Sequence, residues 1–148
     1  MKRRALLRSA AMLPLLGSLP AFAAVQLQVY KNPDCGCCTG WVDHLKAAGF
    51  SVTVTDVANT APIRQRLGLP ERFAGCHTAV VDGYVIEGHV PAAEVRRLLA
   101  SRPKAIGLAV PGMPVGSPGM EMGARRDRYA VLLVDSTGRE SVFASYPQ

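Results

Sequence analysis

The run Cys35-Gly36-Cys37-Cys38 falls between a strand-like segment and a helix-like one, and this placement constrains the fold more than any other feature. Before it, "VQLQVY" (25–30) alternates apolar and polar residues and runs into Asn32-Pro33, which reads as a strand. After it, "CTGWVDHLKAAGF" (38–50) puts Trp41, Leu45 and Ala48 on one helical face and stops at Gly49. "SVTVTDV" (51–57) reads as a second strand, and "TAPIRQRLG" (60–68) as a short helix with Thr60 at its cap and Pro62 in its first turn. "TAVVDGYVIEG" (78–88) reads as a hairpin turning at Asp82-Gly83. "VPAAEVRRLLASRP" (90–103) reads as an amphipathic helix with Val95, Leu98 and Leu99 inward.

The order strand, helix, strand, helix, hairpin, helix predicts a thioredoxin-like α/β core over residues 24–104. In that arrangement reactive cysteines sit between the first strand and the next helix. A helix N-terminus carries partial positive charge and free N–H groups, and both favour a thiolate. Residues 105–148 form a C-terminal extension. Its first part, "AIGLAVPGMPVGSPGMEMG" (105–123), is rich in Gly and Pro and carries Met113, Met120 and Met122. A loop of this length in a small domain is usually functional. "RYAVLLVDSTGRESVFASY" (128–146) closes the chain as a second hairpin.

The first 23 residues read as a secretory leader: Lys2, Arg3, Arg4 and Arg8, an apolar stretch from Ala10 to Phe22, and the small-residue site Ala21-Phe22-Ala23. The apolar run is shorter than the roughly 20 residues of a spanning helix, so no membrane span is expected after cleavage. "RRALLR" loosely echoes a twin-arginine signal, so the Sec and twin-arginine routes both stay open. With 17 basic and 11 acidic residues the chain is +6. The leader removes four of the basic residues, which leaves about +2. No basic stripe with interleaved aromatics remains, which argues against nucleic acid as a partner.

The cysteine run admits three readings: buried packing, a dithiol couple, or a soft-metal site. Cys35 and Cys38 have dithiol spacing, but Cys37 is then a surplus thiol able to scramble the bond. A soft-metal site uses all three sulfurs. Copper(I) is the ion best served by thiolate and thioether ligands together. Cys76, in "GCHTAVV", precedes the third strand, so the predicted fold brings it to the other three cysteines, with His77 beside it. The plainer readings are a buried small residue at Cys76 and an ordinary loop histidine at His77. His89 opens the third helix as either a solvated histidine or a ligand. His44 reads as surface or packing. Among the methionines Met113 and Met120 are the better thioether candidates, since Met122 would face the opposite way from Met120 in an extended segment. Four cysteines also formally suit zinc or an iron–sulfur cluster, but neither explains the methionine loop.

The blocks "YKNPDCGCCTGWVDHLKAAGF", "GCHTAVVDGYVIEGHVPAAEVRRLL" and "GLAVPGMPVGSPGMEMG" together resemble the CopG-like periplasmic copper-resistance proteins of Gram-negative bacteria. The resemblance covers nearly all of the chain after the leader. It implies a thioredoxin-like domain whose extension helps bind metal, and sulfur-bridged copper ions beside the C-x-C-C motif. It also implies interconversion of Cu(I) and Cu(II) in copper tolerance. The implied metal ligands are Cys35, Cys37, Cys38, Cys76, His89, Met113 and Met120, with His77 as the other histidine candidate. Cys35 and Cys38 are the candidate redox pair. Expected partners are copper ions and copper-efflux or electron-transfer proteins, and the chain is expected to be monomeric. Two alternative functions stand beside this one: a non-catalytic copper chaperone or store, and a metal-free thiol–disulfide oxidoreductase.

Overall fold

A computed structural model describes residues 24–147. The expected leader, residues 1–23, lies outside the described residues. The described residues form one mixed seven-stranded sheet with three α-helices. In chain order the elements are β1 (Gln26–Lys31), α1 (Gly36–Ala47), β2 (Ser51–Asp56), α2 (Ala61–Arg66), β3 (His77–Val81), β4 (Tyr84–Glu87), α3 (Ala92–Ser101), β5 (Gly107–Ala109), β6 (Tyr129–Val134) and β7 (Glu140–Tyr146). The strand order is β2-β1-β3-β4-β5-β6-β7. β1 pairs parallel with β2 and antiparallel with β3, and the crossover between β1 and β2 is α1.

The predicted elements up to residue 103 occur in the predicted order. The β3–β4 hairpin turns at Asp82-Gly83, where both residues have positive φ (49° and 85°) as a tight two-residue turn requires. Helix α1 starts two residues earlier than the hydrophobic pattern suggests. Cys37 and Cys38 therefore lie in its first turn, and Cys35 is its N-cap. Asn32 sets up this start: its carbonyl accepts the Cys35 N–H (3.1 Å) and its side-chain oxygen accepts the Asp34 N–H (2.9 Å).

The extension differs most from expectation. The stretch read as a loop contains β5, which pairs parallel with β4 and antiparallel with β6. This three-residue strand joins the terminal hairpin β6–β7 to the rest, so the extension continues the sheet. Beyond β5 the chain runs alongside the Cys76 segment, where Gly112 bridges Gly75 and the Gly112 N–H donates to the Ala74 carbonyl (3.2 Å).

The core lies between the sheet and α1 and α3. Leu27, Val29, Ala79 and Ile86 from the sheet meet Trp41 and Leu45 of α1 and Val95 and Leu98 of α3, all essentially inaccessible to solvent. Burying each such large side chain stabilises the fold by about 1.5–3 kcal/mol. Ala48 and Leu99, also expected inward, are partly buried against the same cluster. Trp41 fixes more than packing, because its indole N–H donates to the Val90 carbonyl (2.8 Å) and ties α1 to the loop carrying His89. His44 reaches from α1 to α3, where its Nε2 accepts the Ala92 N–H (3.0 Å) and satisfies a free donor of that helix. The packing reading of His44 therefore holds, and burial lowers its pKa from the usual value.

Candidate metal centre

The start of α1 carries Cys35, Cys37 and Cys38, and the segment entering β3 carries Cys76. Because β1 and β3 are neighbours, with Lys31 opposite His77, the end of β1 and the start of β3 share one edge of the sheet. All four sulfurs converge there, within 4.8 Å of one another. Cys35 and Cys38 are joined as a disulfide with Cα atoms 5.4 Å apart, and Cys37 and Cys76 are free thiols. Cys37 stands between the two groups, its Sγ 3.5 Å from that of Cys35 and 3.7 Å from that of Cys76. Cys38 is fully buried, while the other three are half-buried.

Two imidazoles complete the cluster. His89 Nε2 lies 3.1 Å from Cys76 Sγ, and Nδ1 lies 2.7 Å from the Pro118 carbonyl. A carbonyl only accepts, so Nδ1 carries the proton and the Nε2 lone pair faces the sulfur. His77 offers a nitrogen within 4.8 Å of both Cys76 and His89. It is fully buried, its ring 4.2 Å from Trp41 and 5.0 Å from His89 between centroids. Neither of its nitrogens has a hydrogen-bond partner among the described residues. Buried polar atoms nearly always find partners, so an unpartnered imidazole beside Cys76 and His89 fits a metal ligand.

Burial dominates the electrostatics. It lowers the His77 pKa to about 3, with the neighbouring His89 adding to the effect. Burial lowers that of His89 as well. Both rings are therefore neutral at physiological pH, the form that binds metal. Burial, with the adjacent Cys37, pushes the Cys76 thiol up to about 12. A metal ion must displace that proton to bind.

A buried carboxylate holds the Cys76 segment in place. Glu87 is inaccessible to solvent and accepts from the Gly75 N–H (2.8 Å), from the Thr78 hydroxyl (2.6 Å) and from Arg64 (2.9 Å). Arg64 in turn grips Glu71 through two donors. Burial raises the Glu87 pKa, and these three donors oppose the rise.

The extension closes one side. Gly119 has φ +86°, and a Cβ there would lie 2.5 Å from the Cys37 carbonyl and 2.6 Å from the Trp41 nitrogen. Only glycine lets the loop approach α1 this closely. Pro118 next to it positions His89. Met120 is half-buried, and its backbone bonds to Gly116 and Ser117. Met113 is 56% exposed and Met122 65%, so both thioethers face solvent.

The structure thus brings together Cys35, Cys37, Cys38, Cys76, His77 and His89, and it places Met113 at the surface. The sequence reading missed four contributors: the Pro118 carbonyl, the Gly119 approach, the Glu87–Arg64 pair and the Trp41 face over His77. An acid within an otherwise apolar strand, "YVIEG", was the available signal for Glu87. The other three depend on long-range contacts.

Four sulfurs and two neutral imidazoles at a helix N-terminus are the donor set of a soft-metal protein. The comparisons with known proteins agree. The chain is similar to two solved structures of "copper resistance protein CopG". For form 2, identity is 46%, TM-score 0.81, and coverage 84% of this chain and 100% of that one. For form 1, identity is 47%, TM-score 0.80, and coverage 85% and 100%. The chain belongs to the CopG family of copper-resistance proteins. Residues 73–120 also match the family model described as "protein of unknown function, DUF411", a span that runs from the Cys76 segment through Met120. No curated protein matches the chain. Among the described residues no helix is long and apolar enough to cross a membrane.

Proposed function

We propose that this protein binds copper at the Cys/His centre and interconverts Cu(I) and Cu(II) as part of copper resistance in the periplasm. The observation that carries this reading is the position of Cys76, which meets the other three cysteine sulfurs and also two neutral imidazoles, one unpartnered and one with Nε2 already aimed at sulfur. The similarity to copper-resistance proteins supports copper as the metal. The order β2-β1-β3-β4 followed by α3 supports a thioredoxin-like core over 24–104, with 105–148 as a metal-binding extension of the same domain.

Copper is the substrate here. Thiolate and thioether donors favour Cu(I), and imidazole tolerates Cu(II), so a mixed set allows both states. The proposed ligands are Cys35, Cys37, Cys38, Cys76, His89 and His77, with Met120 supplied by the extension and Met113, which lies at the surface, as a further thioether. Together they form a thiolate-bridged site for several ions. Cys35 and Cys38 serve as the redox pair. Two Cu(II) ions each take one electron, the two thiols lose their protons to solvent, and the pair ends as the disulfide. The Pro118 carbonyl keeps the Nδ1 proton of His89 in place, and Trp41 and the packed sheet exclude water from His77. Restoring the dithiol requires an external reductant, which makes an electron-transfer protein an expected partner, beside a copper-efflux protein. The protein acts as a monomer.

Two other readings have an observation each. The Cys35–Cys38 disulfide at a helix N-terminus suits a metal-free thiol–disulfide oxidoreductase, and the exposed thioether of Met113 suits a chaperone that hands copper on. Metal analysis with visible and paramagnetic-resonance spectra, on wild type and Cys37→Ser after oxidation and reduction, separates the three. The proposal expects bound copper that cycles reversibly and is lost or altered in Cys37→Ser. Absence of bound copper after exposure to Cu(I) rejects it, and Cu(I) that resists reversible oxidation favours the chaperone. Disulfide exchange that survives Cys37→Ser intact, without bound metal, favours the oxidoreductase.

A further inference from the structure

We infer that the Cys35–Cys38 disulfide divides the centre into two loading states. With the disulfide closed, Cys37 and Cys76 form a two-thiolate site for a single Cu(I) ion, and reduction of the disulfide admits further ions. The inference rests on the copper reading above.

Metal–thiolate and metal–imidazole bonds run about 2.0–2.3 Å, so two donors on one ion stand at most about 4.6 Å apart. Cys37 Sγ and Cys76 Sγ are 3.7 Å apart, so both can bind one ion. These atoms are free for a metal while the disulfide is intact, because Cys37 and Cys76 are the two unbonded thiols. Sulfurs in a disulfide carry no thiolate charge, so Cys35 and Cys38 are withdrawn as ligands in this state.

Charge then sets the count. Two thiolates around one Cu(I) leave a small net charge. Reducing the disulfide adds two thiols beside Cys37, whose Sγ is 3.5 Å from that of Cys35. Each further Cu(I) displaces thiol protons, and the thiolates so formed, half-buried or buried together, are held by the cations that offset them, so the open centre takes up further ions. The reduction balances with a dithiol reductant. Two electrons break the Cys35–Cys38 bond, the reductant's two thiol protons end on those two sulfurs, and the reductant leaves as a disulfide. Copper keeps its oxidation state.

The test is an anaerobic Cu(I) titration against a chromogenic Cu(I) chelator. It uses the protein with the Cys35–Cys38 disulfide, confirmed by alkylation of only Cys37 and Cys76, and the same protein after dithiol reduction and removal of reductant. The expected result is about one Cu(I) per chain with the disulfide closed and more than one after reduction. Cys37→Ser in the disulfide form should weaken binding by about tenfold or more, while Cys35→Ser/Cys38→Ser should hold about one Cu(I) with or without reductant. Far-UV circular dichroism checks that each variant is folded. A disulfide form that binds nothing while the reduced form binds copper overturns the inference, as do equal counts in both forms or a Cys35→Ser/Cys38→Ser variant that binds none. A reduced wild type that binds no Cu(I) overturns the copper reading itself, and the inference with it.

Discussion

His77 should make the copper-free protein acid-sensitive by a predictable amount. The ring is inaccessible, lacks hydrogen-bond partners, and has its pKa lowered to about 3 chiefly by burial. In the unfolded chain it titrates at about 6.5. A folded-state pKa below the unfolded one means that the stabilising contribution is fully present above about 6.5 and is lost as pH falls toward 3. Between pH 7.5 and 5 the unfolded state takes up a proton that the folded state refuses, and it gains about 2 kcal/mol. Because pH 5 lies well above the folded value, this figure depends almost entirely on the unfolded one. His44 and His89 have lowered pKa values for the same reason and add in the same direction. Glu87, with a raised pKa, acts in the opposite one. Comparison with His77→Leu removes these shared contributions. Leucine leaves no buried polar atom unpaired and keeps an apolar contact to Trp41, so the variant is expected to fold. The assay is urea unfolding of the chelator-treated, disulfide-bonded protein at pH 7.5 and pH 5. The loss of stability between these two pH values should be about 2 kcal/mol greater in wild type than in His77→Leu. Equal losses in the two proteins would refute the reasoning.

Three substitutions test the surrounding structure. Gly119→Ala places a methyl group against the Cys37 carbonyl at a positive φ, and should destabilise by about 1–3 kcal/mol and weaken Cu(I) binding together; unchanged urea midpoint and Cu(I) affinity would contradict the close approach. His44→Ala removes the acceptor for the Ala92 N–H and should cost about 1 kcal/mol by the same urea assay, without changing Cu(I) stoichiometry. Arg64→Met strips Glu87 of its buried counter-charge and should cost about 3 kcal/mol, part of which the additional change Glu87→Gln should restore. A double-mutant cycle with no coupling between them would show that the pair does not act as a unit.

Much of this arrangement is written in local pattern. Alternation in 25–30, the helical face of Trp41 and Leu45, and the Asp82-Gly83 turn each reflect short-range physics, and the elements up to residue 103 follow from them. The convergence of Cys76 on the other three cysteines follows from strand order, since β3 lies beside β1. The strand β5 was hidden because three residues carry no usable periodicity, and Gly107 opens it and Pro111 follows it as loop residues would. What fixes it is pairing on both sides, with β4 and β6. The roles of Pro118 and Gly119 were equally out of reach, because each acts on a residue distant in sequence. Cys35 and Cys38 carried dithiol spacing alongside the metal pattern, and the structure contains both the disulfide and the free Cys37–Cys76 pair, so the two readings of the motif describe two parts of one centre.

The most direct test of the central claim is X-ray absorption at the copper edge on copper-loaded wild type and Cys76→Ser. The account predicts a dominant sulfur shell at about 2.3 Å with an imidazole contribution near 2.0 Å, and a reduced sulfur shell in the variant. A first shell of oxygen and nitrogen alone, or a sulfur shell that Cys76→Ser leaves unchanged, would contradict it.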